Sequence, residues 1–325
     1  MIRRKDGIHV EAGGSIGTVV ADARSAVGDV NVVSHAHADH TFRRTPPTVC
    51  CSATTAALVE ARTGARFAFT DSVTGIELLP AGHVVGSRAA LVADETSDRS
   101  VLYTGDFSTR DRLYLSGFDP VPADVLVMET TYGDPAYRFP EQSALEGGIR
   151  DWLADHDEPI FLFGYSLGRA QKLQKLARQA TNRPLVASDA IREVDDAVEA
   201  ATGVAFDADP FDASDLAGDE IVVLPSNQAR SDWVDDLVER VGGLKVGFSG
   251  WAVDESFRYR GGYDRTFPLS DHCDFDELLA VVEAVDPETV YTHHGFDESF
   301  AATLQKRGYE ARPLLRDQTA LSEFS

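Results

Sequence analysis

Short apolar runs separated by turn residues dominate the first 135 or so positions of the chain. Those at 17–21, 30–33, 75–79, 89–93, 101–104 and 124–128 have the length and composition of strands. Between them, Ser52 is placed to cap a helix over 54–62 that Gly64 would stop. From Pro140 the texture changes to helical stretches alternating with apolar runs. Helices are predicted over 141–155, 168–180, 190–201 and 230–241, with strands over 160–163, 185–187, 221–224 and 244–248. That alternation predicts βαβ units on a parallel sheet. The acidic stretch 207–218 reads as an exposed excursion. A helix (274–285), a strand (288–292) and a last helix (298–307) follow. The pattern predicts an α/β protein in which a second α/β domain interrupts the first.

Composition then adjusts this picture. With 325 residues and 43% of them hydrophobic, the chain can build one large or two medium cores. It contains no run of about 20 apolar residues, so no membrane span is expected. The Met1 to Asp6 stretch has no apolar signal-like core, so a cytoplasmic location is expected. Three cysteines, Cys50, Cys51 and Cys273, do not make a disulfide framework, and the adjacent pair reads as buried strand residues. Net charge is −23, and lysine occurs only at Lys5, Lys172, Lys175, Lys245 and Lys306. An acidic, lysine-poor surface suits a cytoplasm of very high salt, where self-repulsion is screened. A halophilic source is therefore expected, and local arginines say more about a substrate than global charge does.

The chemistry lies in polar clusters just past the apolar runs. Ser34 to Thr41 holds His35, His37, Asp39 and His40 directly behind the 30–33 strand. Imidazole with a neighbouring carboxylate suits Zn²⁺, Mn²⁺ or Fe²⁺. His35 and His37 alternate and would point the same way on an extended segment, while Asp39 and His40 would face a second position if the chain turned into a helix. His83 sits between Gly82 and Gly86, Asp106 follows Gly105, and Glu129 ends an apolar strand. Ser270, Asp271 and His272 precede a helix, and His293 and His294 precede Gly295. Taken singly, each has a bland alternative: a structural histidine, a turn aspartate, a capping carboxylate or an N-cap. Their shared position at strand ends, where open α/β layers place their sites, favours function.

In order, His35-Ala36-His37-Ala38-Asp39-His40, Gly82-His83, Gly105-Asp106 and His294-Gly295 resemble the motifs of the metallo-β-lactamase fold. Glu129 to Gly133, Ser270 to Asp274 and His294-Gly295 resemble the additional motifs of its β-CASP nuclease branch. Phe163 to Leu173 resembles the glycine-arginine helix start of that branch's inserted domain. With Phe248 to Trp251 and Arg258 to Arg260, it is most similar to the DNA-ligase-associated exonucleases, a group also described as mRNA 3′-end processing factor-like. The resemblance covers nearly the whole chain. It implies an αββα metallo-β-lactamase sandwich over 1–138 and 256–325, interrupted by a β-CASP domain over 139–255.

It also implies roles. Two divalent ions, zinc first with manganese as the alternative, would be held by His35, His37 and His83 and by Asp39, His40 and His294. Asp106 would bridge them and Asp22 would orient ligands from behind. Of the two late histidines, the one followed by glycine matches the motif. The ions would generate a hydroxide nucleophile and neutralise the attacked phosphate. Asp39 counts among the catalytic carboxylates as well as the ligands. His272 would stabilise the transition state or protonate the leaving oxygen, with Glu129 holding its other nitrogen. Ser166, Gly168, Arg169, Ser249, Gly250 and Ser270 would hold further phosphates, and Trp251 would stack on a base or sit in the core. The implied function is hydrolysis of single-stranded nucleic acid, as an exonuclease on DNA ends in repair beside ligase-associated proteins. RNA processing is the alternative, because RNA-acting members carry the late histidine. A small-molecule hydrolase would leave Arg169 and His272 without purpose, and a decayed scaffold would not keep every ligand.

Overall fold

The computed structural model describes residues 1–94 and 99–315. Packing divides them into two compact units. The first comprises Met1–Thr109, Gly117–Pro135 and the described residues from Phe275 on; the second comprises Arg110–Ser116 and Ala136–Asp274. Two stretches therefore depart from the sequence-based boundaries. Residues 256–274, expected in the resumed first domain, belong to the second unit because the strand Arg265–Phe267 pairs with Leu244–Phe248 there. Residues 110–116 join it too, and Arg112 donates to the Ser270 carbonyl at 2.8 Å.

In the first unit two six-stranded sheets share a core. One runs in the order Ile2–Lys5, Gly7–Gly13, Gly17–Ala21, Val30–Val32, Val49–Cys50 and Phe69–Thr70. The other runs Glu310–Pro313, Thr289–His293, Val125–Glu129, Arg99–Tyr103, Arg88–Asp94 and Ile76–Pro80. Ile8, Val10, Val19 and Val32 from the first meet Val92, Val101 and Val127 from the second in one buried cluster. Arg99–Tyr103, Val125–Glu129 and Thr289–His293 are mutually parallel, so the loops after them leave the same end of the sheet. The helix Ala53–Thr63 matches its sequence signals: Ser52 Oγ accepts from Thr55 N, and Gly64 closes it at φ 70°. Cys50 and Cys51 are buried, and burial pushes their thiols up to about 11 and about 12. They are inert core residues, as their strand position suggests.

The second unit has one six-stranded parallel sheet, ordered Asp209–Pro210, Leu185–Ala187, Ile221–Pro225, Ile160–Gly164, Leu244–Phe248 and Arg265–Phe267. Alternate residues of the run Ile160 to Phe163 serve opposite faces. Ile160 and Leu162 pack with Leu145, Ile149 and Leu173, while Phe161 and Phe163 pack with Val234 and Leu237. Both faces are covered by helices, which explains an unbroken apolar run instead of an alternating one. The stretch 207–218 is only partly an excursion, since Asp209–Pro210 pairs at the sheet edge with Val186 and Ala187. Among the described residues no helix is long and apolar enough to cross a membrane.

Asp195 lies inside this unit, accepting from Gln171 Nε2 at 2.7 Å and from Gln174 Nε2 at 2.9 Å. Burial raises its carboxyl to about 6 against those two hydrogen bonds. The folded state thus holds a proton that the unfolded chain releases near pH 4. The associated stability is complete below that pH and is lost as pH rises through 6. Asp195→Asn keeps an acceptor for Gln171 and carries no charge. It is expected to gain roughly 2–3 kcal/mol at pH 8 and nothing at pH 4, measured by urea unfolding at both values.

Candidate metal centre

Each ligand candidate of the first unit sits in a loop that a strand end fixes. Asp22 follows the strand Gly17–Ala21 and takes a left-handed φ of 52°, its amide donating to the Val32 carbonyl at 2.9 Å. Ser34 follows Val30–Val32, and its amide and hydroxyl donate to the two Asp22 oxygens at 2.7 and 2.6 Å. Gly82 and Gly105 allow the His83 and Asp106 loops to approach. A Cβ on Gly82 would lie 2.2 Å from the Ser108 carbonyl oxygen, and one on Gly105 would lie 2.7 Å from Ser34 Cβ. Between His37 and His40 the chain makes a hydrogen-bonded turn, His40 N to His37 O at 3.0 Å, instead of entering a helix.

The side chains then converge. His35 Nε2 and His37 Nδ1 are 3.0 Å apart, and His83 Nε2 is 3.1 Å from the same Nδ1. Asp106 Oδ2 lies 3.7 Å from His35 Nε2, 3.8 Å from His83 Nε2 and 3.4 Å from His40 Nε2. One ligand atom from each of His35, His37, His83 and Asp106 falls within a common 4.8 Å, as does one from each of Asp22, His35 and His40. Bonds of about 2.0–2.2 Å in a tetrahedral array separate ligand atoms by about 3.3–3.6 Å. The donor set and its spacing fit a zinc-like ion.

Asp22 sets the tautomers. Its carboxylate only accepts, so Ser34 Oγ must donate to it, and Ser34 Oγ in turn accepts from His35 Nδ1 at 2.9 Å. His40 Nδ1 donates to Asp22 at 2.8 Å, and the Tyr103 hydroxyl donates at 2.8 Å. Both histidines therefore turn Nε2 toward Asp106. Sequence reasoning placed Asp22 behind the ligands but gave Ser34 and Tyr103 no role. The partner of Tyr103 is 81 positions away, so no local pattern could indicate it.

The other first-unit residues flank the cluster. Asp39 is exposed, with Oδ2 3.8 Å from His40 Nε2. The exposed His294, at φ 63°, stacks on His40 at 6.2 Å between centroids, whereas His293 is buried against Tyr103 at 5.8 Å. Glu129 is buried and accepts from Thr131 N at 2.7 Å. Burial pulls the His40 pKa down, but Asp106 and Asp22 outweigh it and raise the imidazole to about 10. A cation entering here must displace that proton. Titration with Zn²⁺ at pH 8 is expected to release at least about one proton per protein, read by calorimetry in two buffers of different ionisation enthalpy.

In the second unit His272 is half-buried, its amide donating to Ser270 Oγ at 3.0 Å. The phosphate-binding expectations fare differently there. Arg169 is turned inward: it pairs with Asp271 at 2.9 Å, donates to the Phe248 carbonyl at 3.2 Å and lies over the Tyr165 ring. Its guanidinium is committed to this internal anion, so the expected fork for a phosphate is not presented. The Gly168 amide is taken by Gln171 Oε1 at 2.7 Å, and the Ser166 carbonyl by Gln171 Nε2 at 2.9 Å. Ser249 Oγ accepts from Trp251 N and so caps the turn that contains Gly250, while Trp251 packs edge-on against Tyr137. Sequence reasoning named Asp271 within the Ser270 to Asp274 motif but gave it no partner; it pairs with Arg169 and also receives a bond from the buried Lys172.

No protein-family model matches the chain. It is 38% identical over 296 residues to a probable DNA ligase of Opitutus terrae, a match spanning 86% of this chain and 28% of that protein. An uncharacterized protein of Acidianus ambivalens is 32% identical over 124 residues, 37% of this chain and 84% of its own. Cleavage and polyadenylation specificity factor subunit 3 of Dictyostelium discoideum is 34% identical over 97 residues, 29% of this chain and 12% of its own. The chain belongs to the β-CASP metallo-β-lactamase family. This β-CASP protein also shares its fold with a protein of unknown function from Enterococcus faecalis V583, known from its crystal structure. The TM-score is 0.57 at 13% identity, covering 90% of this chain and 79% of that one.

Proposed function

We propose that this β-CASP protein is a metal-dependent nuclease that hydrolyses single-stranded nucleic acid, acting as an exonuclease on DNA ends in repair. The observation that carries this reading is the convergence of His35, His37, His83 and Asp106, with His40 and Asp22, inside one compact unit. The resemblance to a probable DNA ligase over 296 residues supports DNA as the substrate and ligase-associated proteins as partners. In this reading the first unit is the αββα sandwich and the second the β-CASP insertion, with the boundaries that packing gives.

His35, His37, His83 and Asp106 fit one divalent ion, zinc or manganese, and a second beside it is part of the proposal. His35, His37 and His83 would hold one; Asp39, His40 and His294 the other; Asp106 both. When bound, such ions acidify water and offset phosphate charge. The chain's own part is orientation and proton control. Asp22 and Ser34 keep His35 and His40 in the tautomers that present Nε2. Tyr103 adds a further donor to Asp22, which holds that carboxylate in place. In this reading His272 is the acid for the leaving oxygen, a contribution of about 10²- to 10⁴-fold.

Digestion of single-stranded DNA and RNA of one sequence, labelled at either end, tests this in high salt with Zn²⁺ or Mn²⁺. DNA-selective mononucleotide release, abolished by a chelator and cut about 10²-fold or more by His272→Ala with metal content unchanged, is expected. Preferential cutting of RNA would favour the second reading, an RNA-processing nuclease. That reading draws on the similarity to the cleavage and polyadenylation factor and on His294 beside His40.

A further inference from the structure

Beside the metal centre the first unit has a cleft of about 140 Å³, floored by Tyr103, His293 and His294 and walled by the first hairpin. Arg4 and Lys5, at the end of the strand Ile2–Lys5, and Arg24, just past Asp22, line it. None of these three side chains has a hydrogen-bonding or ion-pairing partner among the described residues. Three cations thus gather at one cleft in a chain with 53 acidic residues against 30 basic ones. The carboxylates lining the same cleft are otherwise engaged. Asp6 accepts from the amides of Arg24, Ser25 and Ala26, Asp22 from Ser34, Tyr103 and His40, and Asp39 lies beside His40.

Two further observations point to an anionic ligand. His293, 1% exposed, has neither ring nitrogen hydrogen-bonded and borders this cleft. A buried polar group without a partner costs free energy unless something arrives to satisfy it. The size is also selective: about 140 Å³ lies below the roughly 300 Å³ at which pockets begin to hold drug-sized molecules. A phosphate group fits within that volume, and the rest of a nucleotide would extend out of the cleft.

We propose that Arg4, Lys5 and Arg24 form a subsite for a phosphomonoester, either the phosphorylated end of a strand or that of the nucleotide released from it. The charge supports a monoester over an internal phosphodiester, because a monoester carries close to two negative charges at pH 7 where a diester carries one. The hairpin holds the subsite rigidly. Asp6, at its tip, ties down the 24–26 loop through three amides, so the backbones carrying all three cations are fixed against each other. This inference rests on the nuclease reading for its substrate, but not for its ligand.

The test compares the metal-loaded wild type with Arg4→Gln/Lys5→Gln. Mononucleotide binding is followed by calorimetry, and hydrolysis is followed on strands bearing a phosphate or a hydroxyl at each end. The variant is expected to bind the mononucleotide about tenfold or more weakly, with metal content and turnover of hydroxyl-ended strands unchanged. If strand ends are the source, the wild type shows a lower KM for one phosphorylated end and the variant loses that preference. If only the product is held, KM is equal for all ends and mononucleotide inhibition alone weakens. Equal mononucleotide affinity in the two proteins would overturn the subsite even if nuclease activity is present. Weakened binding in a protein that cuts no nucleic acid would keep the subsite and remove the nuclease reading.

Discussion

Asp106→Ala is expected to lose about 10³-fold or more in turnover together with most of its bound metal, while its folded secondary structure is retained. Asp106 Oδ2 lies within 3.4–3.8 Å of three separate imidazole nitrogens, those of His35, His40 and His83. Removing it takes an anionic ligand from both candidate ion positions at once. Its loss has a second signature that does not depend on activity. Asp106 is the largest influence raising His40 to about 10, so His40 in the metal-free variant should titrate closer to neutral pH by NMR. Asp22 still raises His40 against its burial through charge and a hydrogen bond, and loss of that retained influence would mark general unfolding instead. Metal content and turnover at wild-type levels would remove the bridging assignment.

Asp271→Ala is expected to cost about 3–5 kcal/mol of stability. That is a large share of the roughly 5–15 kcal/mol typical of a folded domain. Asp271 is 1% exposed and faces three buried cations: Lys172, bonded to Oδ1, Arg169 at 2.9 Å and Arg112 at 3.7 Å. Burial alone would raise its pKa, yet the three cations hold it well below the usual carboxylate range. Lys172 is pushed down to about 7 by its burial and by Arg112, so it is already a costly charge with its anion present. Without Asp271 the three positive groups have no common counter-charge in a dry site. The midpoint of urea unfolding reads this directly, and a change below about 1 kcal/mol would show that water reaches the cluster. High salt should rescue little, because buried pairs are screened far less than surface ones.

The same network bears on the proposed chemistry. Arg112 holds the Ser270 carbonyl, and Ser270 Oγ holds the His272 amide at 3.0 Å. Loosening Asp271 therefore disturbs the backbone that carries His272. Conservative Asp271→Asn, which keeps the shape and an acceptor, should retain more turnover than the alanine variant.

Much of the first unit was legible in the sequence because its signals are local. The cap at Ser52 and the stop at Gly64 need only neighbours within a few residues. The strand before His35 shows itself by three buried residues in a row, Val30 to Val32. The ligand types and their order are likewise written along the chain, since donor chemistry belongs to each side chain wherever it lies. In the second unit the unbroken apolar run Ile160 to Phe163 announces a strand covered on both faces.

What the tertiary structure alone decided is which partner each polar group takes. Arg169 reads as a phosphate ligand from its glycine-rich helix start, but it meets Asp271, 102 positions later, and becomes internal support. Asp22 meets Ser34 across adjacent strands of one sheet, but it meets Tyr103 only once two sheets have closed over one core. The strand Gly7–Gly13 carries a local signal, buried Ile8, Val10 and Ala12 alternating with His9 and Glu11, but its pairing with Ile2–Lys5 and Gly17–Ala21 is settled only in the closed sheet. The shift of 110–116 and 256–274 into the second unit has the same origin. A residue's type and spacing dictate what it can bond and which face it presents. The competition among distant partners for each buried charge is settled only when the chain has closed.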